Sequence, residues 1–177
     1  MAKINFTPFP ILSSTRFNLR TLSINDDKQI FKLRSDKQVI KYLGRQVAKS
    51  INEAREFIDK INAGIKNDEW IMWVIESKEN SSFIGTICLW NLSEDKTKAD
   101  IGFEILPDFF GKGIMQEVIP IILNYGFNVM NLDVIEGEVD PENIKSIKLM
   151  EKFGFEYYKK LESTDVYYLK NKNRTIK

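Results

Sequence analysis

Apolar and polar side chains alternate at Phe17-Asn18-Leu19-Arg20, the two-residue period of a half-buried strand. The period then lengthens. Asn25-Asp26-Asp27 is a helix start, and Ile30, Phe31, Leu33 and Arg34 continue it. Ile51, Ala54, Phe57, Ile58, Ile61 and Ile65 recur three and four residues apart, the apolar stripe of an amphipathic helix. Ser50 stands just before it, and Glu53 three residues on completes a capping-box spacing.

Strands are expected at 70–76 and 82–90, either side of the turn-forming Lys78-Glu79-Asn80-Ser81. A polar turn separates them from a third at 99–106, which ends at Pro107. Residues 114–130 read as a helix that Pro120 should kink or deprive of one hydrogen bond. A strand at 133–139 follows. Pro141-Glu142-Asn143 then opens a helix carrying Ile144, Ile147, Leu149 and Met150, which stops near Gly154. Strands at 157–160 and 166–169 close the chain. The order predicts one α/β domain over 15–170, with an irregular lead-in at 1–14 and a tail at 171–177.

Composition narrows the chemistry. With 177 residues and 43 % hydrophobic content, the chain can bury a substantial single core. A net charge of +1 argues against nucleic-acid binding through a broad basic surface. The absence of histidine excludes Ser-His-Asp and Cys-His catalysis, and with Cys88 the lone cysteine no disulfide or cysteine metal cluster is expected. A lone cysteine fits a reducing compartment. The N-terminus lacks the apolar core of a signal peptide, and no apolar run approaches the roughly 20 residues of a membrane span. A soluble, cytoplasmic protein with no metal and no membrane partner is therefore expected.

Asp108-Phe109-Phe110-Gly111-Lys112-Gly113-Ile114-Met115 carries the candidate chemistry. Two glycines allow a tight turn with unobstructed N–H groups, and the start of the following helix favours an anion. A Walker loop would need the lysine after the second glycine, followed by a hydroxyl; a dinucleotide fingerprint would need a third small residue at Gln116. The remaining alternative is a strand-to-helix turn without a ligand.

These residues, with their neighbours, resemble the GNAT superfamily of acyl-CoA-dependent N-acetyltransferases. The central Gln/Arg-x-x-Gly-x-Gly/Ala motif of that family appears as Asp108-Phe-Phe-Gly111-Lys112-Gly113. Thr15-Arg16-Phe17-Asn18-Leu19-Arg20, Ile84-Gly85-Thr86, Asp100-Ile101-Gly102-Phe103, Asn143-Ile-Lys-Ser146 and Glu151-Lys152-Phe153-Gly154-Phe155 extend the likeness over nearly the whole chain. It is most similar to the branch that acetylates ribosomal-protein N-termini. The resemblance implies a mixed, mostly antiparallel twisted sheet flanked by helices, with splayed central strands forming an acyl-CoA cleft. It also implies that the amides of Phe110, Gly111, Lys112, Gly113, Ile114 and Met115 hold the CoA pyrophosphate. Backbone at Phe103 and Ile105 and the side chain of Asn143 would hold the pantetheine arm. A helix cap and an exposed lysine are the alternatives for Asn143 and Lys112.

The implied reaction is attack of a neutral amine on the acetyl-CoA thioester. Without histidine the base is a carboxylate, a water chain or nothing. An α-amine with a pKa of about 7.8 is roughly 15 % neutral at pH 7, whereas a lysine is below about 0.1 %. Glu138, Asp100 and Glu104 are the candidate carboxylates, Glu138 first, each with a solvated strand charge as its alternative. Many relatives place a tyrosine where this chain has Met150, which cannot donate a proton. Ser146 matches a serine near the thiol and is the candidate to assist. Trp70, Trp73, Trp90, Phe109 and Phe110 could shape the acceptor pocket, although Trp73 and Trp90 read as core. The expected acceptor is a protein or peptide α-amine; a polyamine, amino acid or antibiotic is the alternative, and a non-catalytic acyl-CoA-binding module the rival. A homodimer is common in such folds, but no interface is legible.

Overall fold

The alternating segments assemble into one eight-stranded sheet, seen in a computed structural model that describes residues 4–172. Residues 1–3 of the lead-in and 173–177 of the tail lie outside the described residues. The strands are β1 (Leu12–Ser13), β2 (Phe17–Arg20), β3 (Ile71–Ser77), β4 (Phe83–Trp90), β5 (Lys98–Ile105), β6 (Val134–Val139), β7 (Glu156–Lys160) and β8 (Asp165–Lys170). Their spatial order is β1-β2-β3-β4-β5-β6-β8-β7. Every neighbouring pair is antiparallel except β5 and β6.

Helices α1 (Asp27–Ser35), α2 (Lys37–Ile40) and α3 (Ile51–Lys66) follow β2, α4 (Ile114–Asn124) follows β5, and α5 (Ile144–Lys152) follows β6. The Ser50 hydroxyl caps α3 by accepting the Glu53 N–H at 3.2 Å. The Glu53 carboxylate reaches back one residue further than a capping box requires, to the Lys49 N–H. Pro120 lies within α4 without ending it. It and Gln116, whose carbonyl loses its partner, are both exposed, so water can take that bond.

The two faces of the sheet differ. Trp73, Ile75, Ile87, Leu89 and Ile135 lie on one face and are buried. There Trp73 packs edge-on against Tyr125, and Gly137 admits Met150 of α5. Trp73 is fully buried, and its replacement by Ala would cost about 3–5 kcal/mol. On the opposite face α1 and α3 cover the β2–β4 half: Arg20 binds Asp26 just before α1, and Trp70 packs on Gly64 of α3.

The lead-in takes part in this core. Phe6 is buried, Phe9 packs on Trp73, and the Trp73 indole donates to the Pro10 carbonyl at 2.8 Å. Leu12–Ser13 adds a short edge strand to β2.

Candidate functional site

Pairing between β5 and β6 begins at Lys98 with Val134 and stops at Asp100 with Glu136. Beyond that point β5 stays on β4 as far as Ile105, and β6 stays on β8 as far as Val139. Among the described residues, the facing edges at 101–105 and 137–139 therefore have no partner strand across the cleft. Their backbone N–H and C=O groups line a wedge-shaped cleft, which suits a ligand that bonds as a strand would. Phe103 and Ile105 lie on this open edge.

The glycine segment stands at the mouth of the cleft. A short 3₁₀ turn, Pro107–Phe109, leads to Gly111 and Gly113, both with left-handed backbone at φ 74° and 70°. Gly113 is the N-cap of α4, and among the described residues no side chain caps that helix. The first-turn amides, starting at Ile114 and Met115, thus remain available to an anion. Phe110 is exposed, and Lys112 rests its ammonium over the Phe109 ring, 5.3 Å from the centroid.

Strand alternation sets Asp100, Gly102 and Glu104 on the face opposite the buried row, and pairing adds Glu136 and Glu138. Beyond the helix-covered half this face is open. Trp90 is 46 % exposed there, contrary to its reading as core. The Asp100 carboxylate accepts a bond from the Asn91 amide at 2.9 Å. Burial first, and then the charges of Glu136 and Glu138, push its carboxyl up to about 6.

The other candidate carboxylates are engaged. Glu104 is gripped bidentately by Arg45, with Nη2 to Oε2 at 2.8 Å. Glu138 is exposed and accepts a short bond from the Thr164 hydroxyl. Cys88 lies beside Gly102, and burial raises its thiol to about 12, so it holds no thiolate at neutral pH.

On the other face, Asn143 caps α5 by accepting the Ser146 N–H at 3.3 Å, which realises its alternative reading and leaves its amide N–H groups available. Ser146 is half-buried in the first turn of α5. Met150 is buried against Gly137, just beyond the point where β5 and β6 part.

Several site residues were not assigned a role from sequence. Glu136 shared the two-residue spacing of Glu138 and could have been found that way. Asn91, Arg45 and the pair Arg16–Glu117 act across the fold, with no local signal.

Comparison with known proteins agrees with this geometry. The family described as the acetyltransferase (GNAT) domain matches residues 16–156. The uncharacterized N-acetyltransferase YoaA of Bacillus subtilis (strain 168) is 34 % identical over 148 residues, 84 % of each chain. A solved GNAT-family acetyltransferase from Bacillus anthracis superposes with a TM-score of 0.76 at 28 % identity, covering 90 % of this chain and 96 % of that one. Spermidine N-acetyltransferase from Vibrio cholerae, solved with CoA and spermine, gives 0.76 at 26 % identity, covering 87 % and 95 %. The chain belongs to the GNAT acetyltransferase family. It is an N-acetyltransferase, and acetyl-CoA is the cosubstrate of that family.

Proposed function

We propose that this enzyme acetylates a small primary amine bearing at least one further positive charge, with a polyamine as the leading case. The observation that carries the reading is the row of Asp100, Glu136 and Glu138 on the open face of the two diverging strands. Near a protein surface a charge pair about 4 Å apart is worth about 4 kcal/mol, so such a row selects cations. The likeness to a spermidine acetyltransferase solved with spermine points the same way.

The open edge at Phe103 and Ile105 and the Asn143 amide would hold the pantetheine arm, and the amides from Phe110 to Met115 the pyrophosphate. Asp100, at the floor of the cleft, takes a proton from the acceptor ammonium. The amine nitrogen then bonds to the acetyl carbon, the C–S bond breaks, and sulfur leaves as thiolate. A second proton leaves the nitrogen and neutralises the sulfur, so one proton passes to solvent. Met150 cannot supply it; the Ser146 hydroxyl or water relays it. A thiol of pKa about 8.5 needs little assistance as a leaving group.

The second reading is a protein or peptide α-amine, with a place in the ribosomal-protein branch. It is favoured by the larger neutral fraction of such amines and by the Asn143-x-x-Ser146 spacing. Thiol release from acetyl-CoA with spermidine, a panel of N-terminal peptides and an aminoglycoside tests both. Turnover with spermidine well above that with every peptide supports the first. Turnover confined to peptides overturns it.

A further inference from the structure

Gly111 and Gly113 make the anion-binding loop tight but give it no stiffness of its own. Glycine loses more conformational freedom on ordering than any other residue. A Cβ at Gly111 would meet nothing within 4 Å, so packing does not hold that position either. Among the described residues, the side-chain hydrogen bonds to the Gly111–Gly113 backbone come from Arg16, on the turn before β2. Its Nη1 donates to the Lys112 carbonyl at 3.3 Å and its Nη2 to the Gly113 carbonyl at 3.4 Å.

Those contacts are long, and their strength depends on how firmly the guanidinium is held. Glu117, in α4, holds it. One carboxylate oxygen accepts the Arg16 backbone N–H at 2.8 Å, and the other accepts Nε at 2.6 Å. Burial alone would raise the Glu117 carboxyl, but bonds from Ser14 and Arg16 outweigh it and hold it below its ordinary range. Arg16 and Glu117 are thus locked to each other and to the helix that the loop opens.

A trans peptide is planar, with its C=O and N–H pointing in opposite directions. Drawing the carbonyls of Lys112 and Gly113 toward Arg16 turns the N–H groups of Gly113 and Ile114 away from it. Those N–H groups are left free of Arg16 and unobstructed by it.

We propose that Arg16, anchored by Glu117, is a positioning residue that presets the glycine loop for the CoA pyrophosphate, without itself being the phosphate ligand. The proposal rests on the reading of this loop as the pyrophosphate site. A preset loop spares the ligand the cost of ordering it. The two residues lie 101 apart in sequence, which makes the brace a tertiary device.

The test is calorimetric titration of the full chain with CoA, and displacement by pantetheine, which lacks the pyrophosphate. In Arg16→Gln and Glu117→Gln, CoA affinity should fall about tenfold while pantetheine affinity changes less than about twofold. Arg16→Lys keeps the charge but not the fork, and should stay nearly as weak as Arg16→Gln. Full rescue by lysine would mean direct charge attraction and would overturn the brace. Equal loss of CoA and pantetheine would also overturn it, as general damage to the fold. A wild-type chain that binds CoA no better than pantetheine refutes the loop reading itself. CoA binding that is strong and unchanged in both variants refutes only the brace.

Discussion

Asp100 and Glu136 sit opposite each other in the last paired register of β5 and β6, on the same open face of the sheet. Like charges directly across a ladder oppose pairing. Here they stand where pairing ends and the cleft opens, so their repulsion works at the one place where the strands must part. A bound cation would relieve it.

With Asp100 in its proposed role as base, its raised carboxyl predicts a pH-dependent activity. As pH falls through about 6 the carboxylate is protonated and loses both its charge and its capacity to accept a proton. Amine kcat/KM should therefore fall on an acid limb near that value. Asp100→Asn should remove the limb and lower kcat/KM by about 10²-fold or more. Because the folded carboxyl is raised, the fold carries a penalty above about pH 6 that is relieved as pH falls through it. The same variant should thus be more stable at pH 8, by on the order of 1 kcal/mol once screening of a partly exposed group is allowed for, and unfold at a higher temperature. Loss of stability at pH 8 would contradict the assignment.

Removing charge from the remaining row should act on acceptor binding. Glu136→Gln and Glu138→Gln should each raise KM for a di- or triamine about 3- to 10-fold, with a smaller effect on a monoamine of similar length. The difference should shrink as ionic strength rises, because the row is open to solvent. Equal effects on mono- and polyamines would remove the row from acceptor selection. Steady-state kinetics at two salt concentrations decide it.

The parts of the fold visible in sequence are those with local causes. The stripe from Ile51 to Ile65, the Ser50 cap and the alternation on each central strand are written in neighbouring residues, and their elements appear where expected. The lead-in was not legible in this way. Phe9 meets Trp73 only once β3 brings it there, and the Phe6 N–H finds its acceptor in the Asp68 carboxylate, 62 residues away. Trp90 read as core because it lies on a central strand, but whether anything covers that end of the strand is a tertiary matter. The same holds for Glu104. Its spacing made it a candidate base, and only the loop that delivers Arg45 shows that its charge is already matched.

Cys88 offers a check on direct transfer. A thiol raised to about 12 is a poor nucleophile at neutral pH, so no acyl-cysteine should form. Cys88→Ala should retain kcat within about twofold, since the thiol donates only a long bond to the Gly102 carbonyl at 3.5 Å. Abolished turnover in a folded Cys88→Ala protein would reopen a covalent route.

Gly111 separates the needs of folding from those of binding. Its φ of 74° strains any L side chain, yet an added Cβ has open space around it. Gly111→Ala should therefore cost only about 1–2 kcal/mol of stability, from backbone conformation and not from a clash. Asparagine tolerates left-handed backbone better, so Gly111→Asn should recover part of that loss. On the proposed reading of the loop as the pyrophosphate site, a side chain in that space should obstruct an incoming phosphate. CoA affinity should then fall more than about tenfold in both variants, with no recovery in the asparagine form. Thermal unfolding and CoA titration on the same two proteins give the answer. Affinity that tracks stability from alanine to asparagine would show that the loop matters for folding alone, whereas affinity that stays low while stability returns identifies a bare backbone surface kept clear for the ligand.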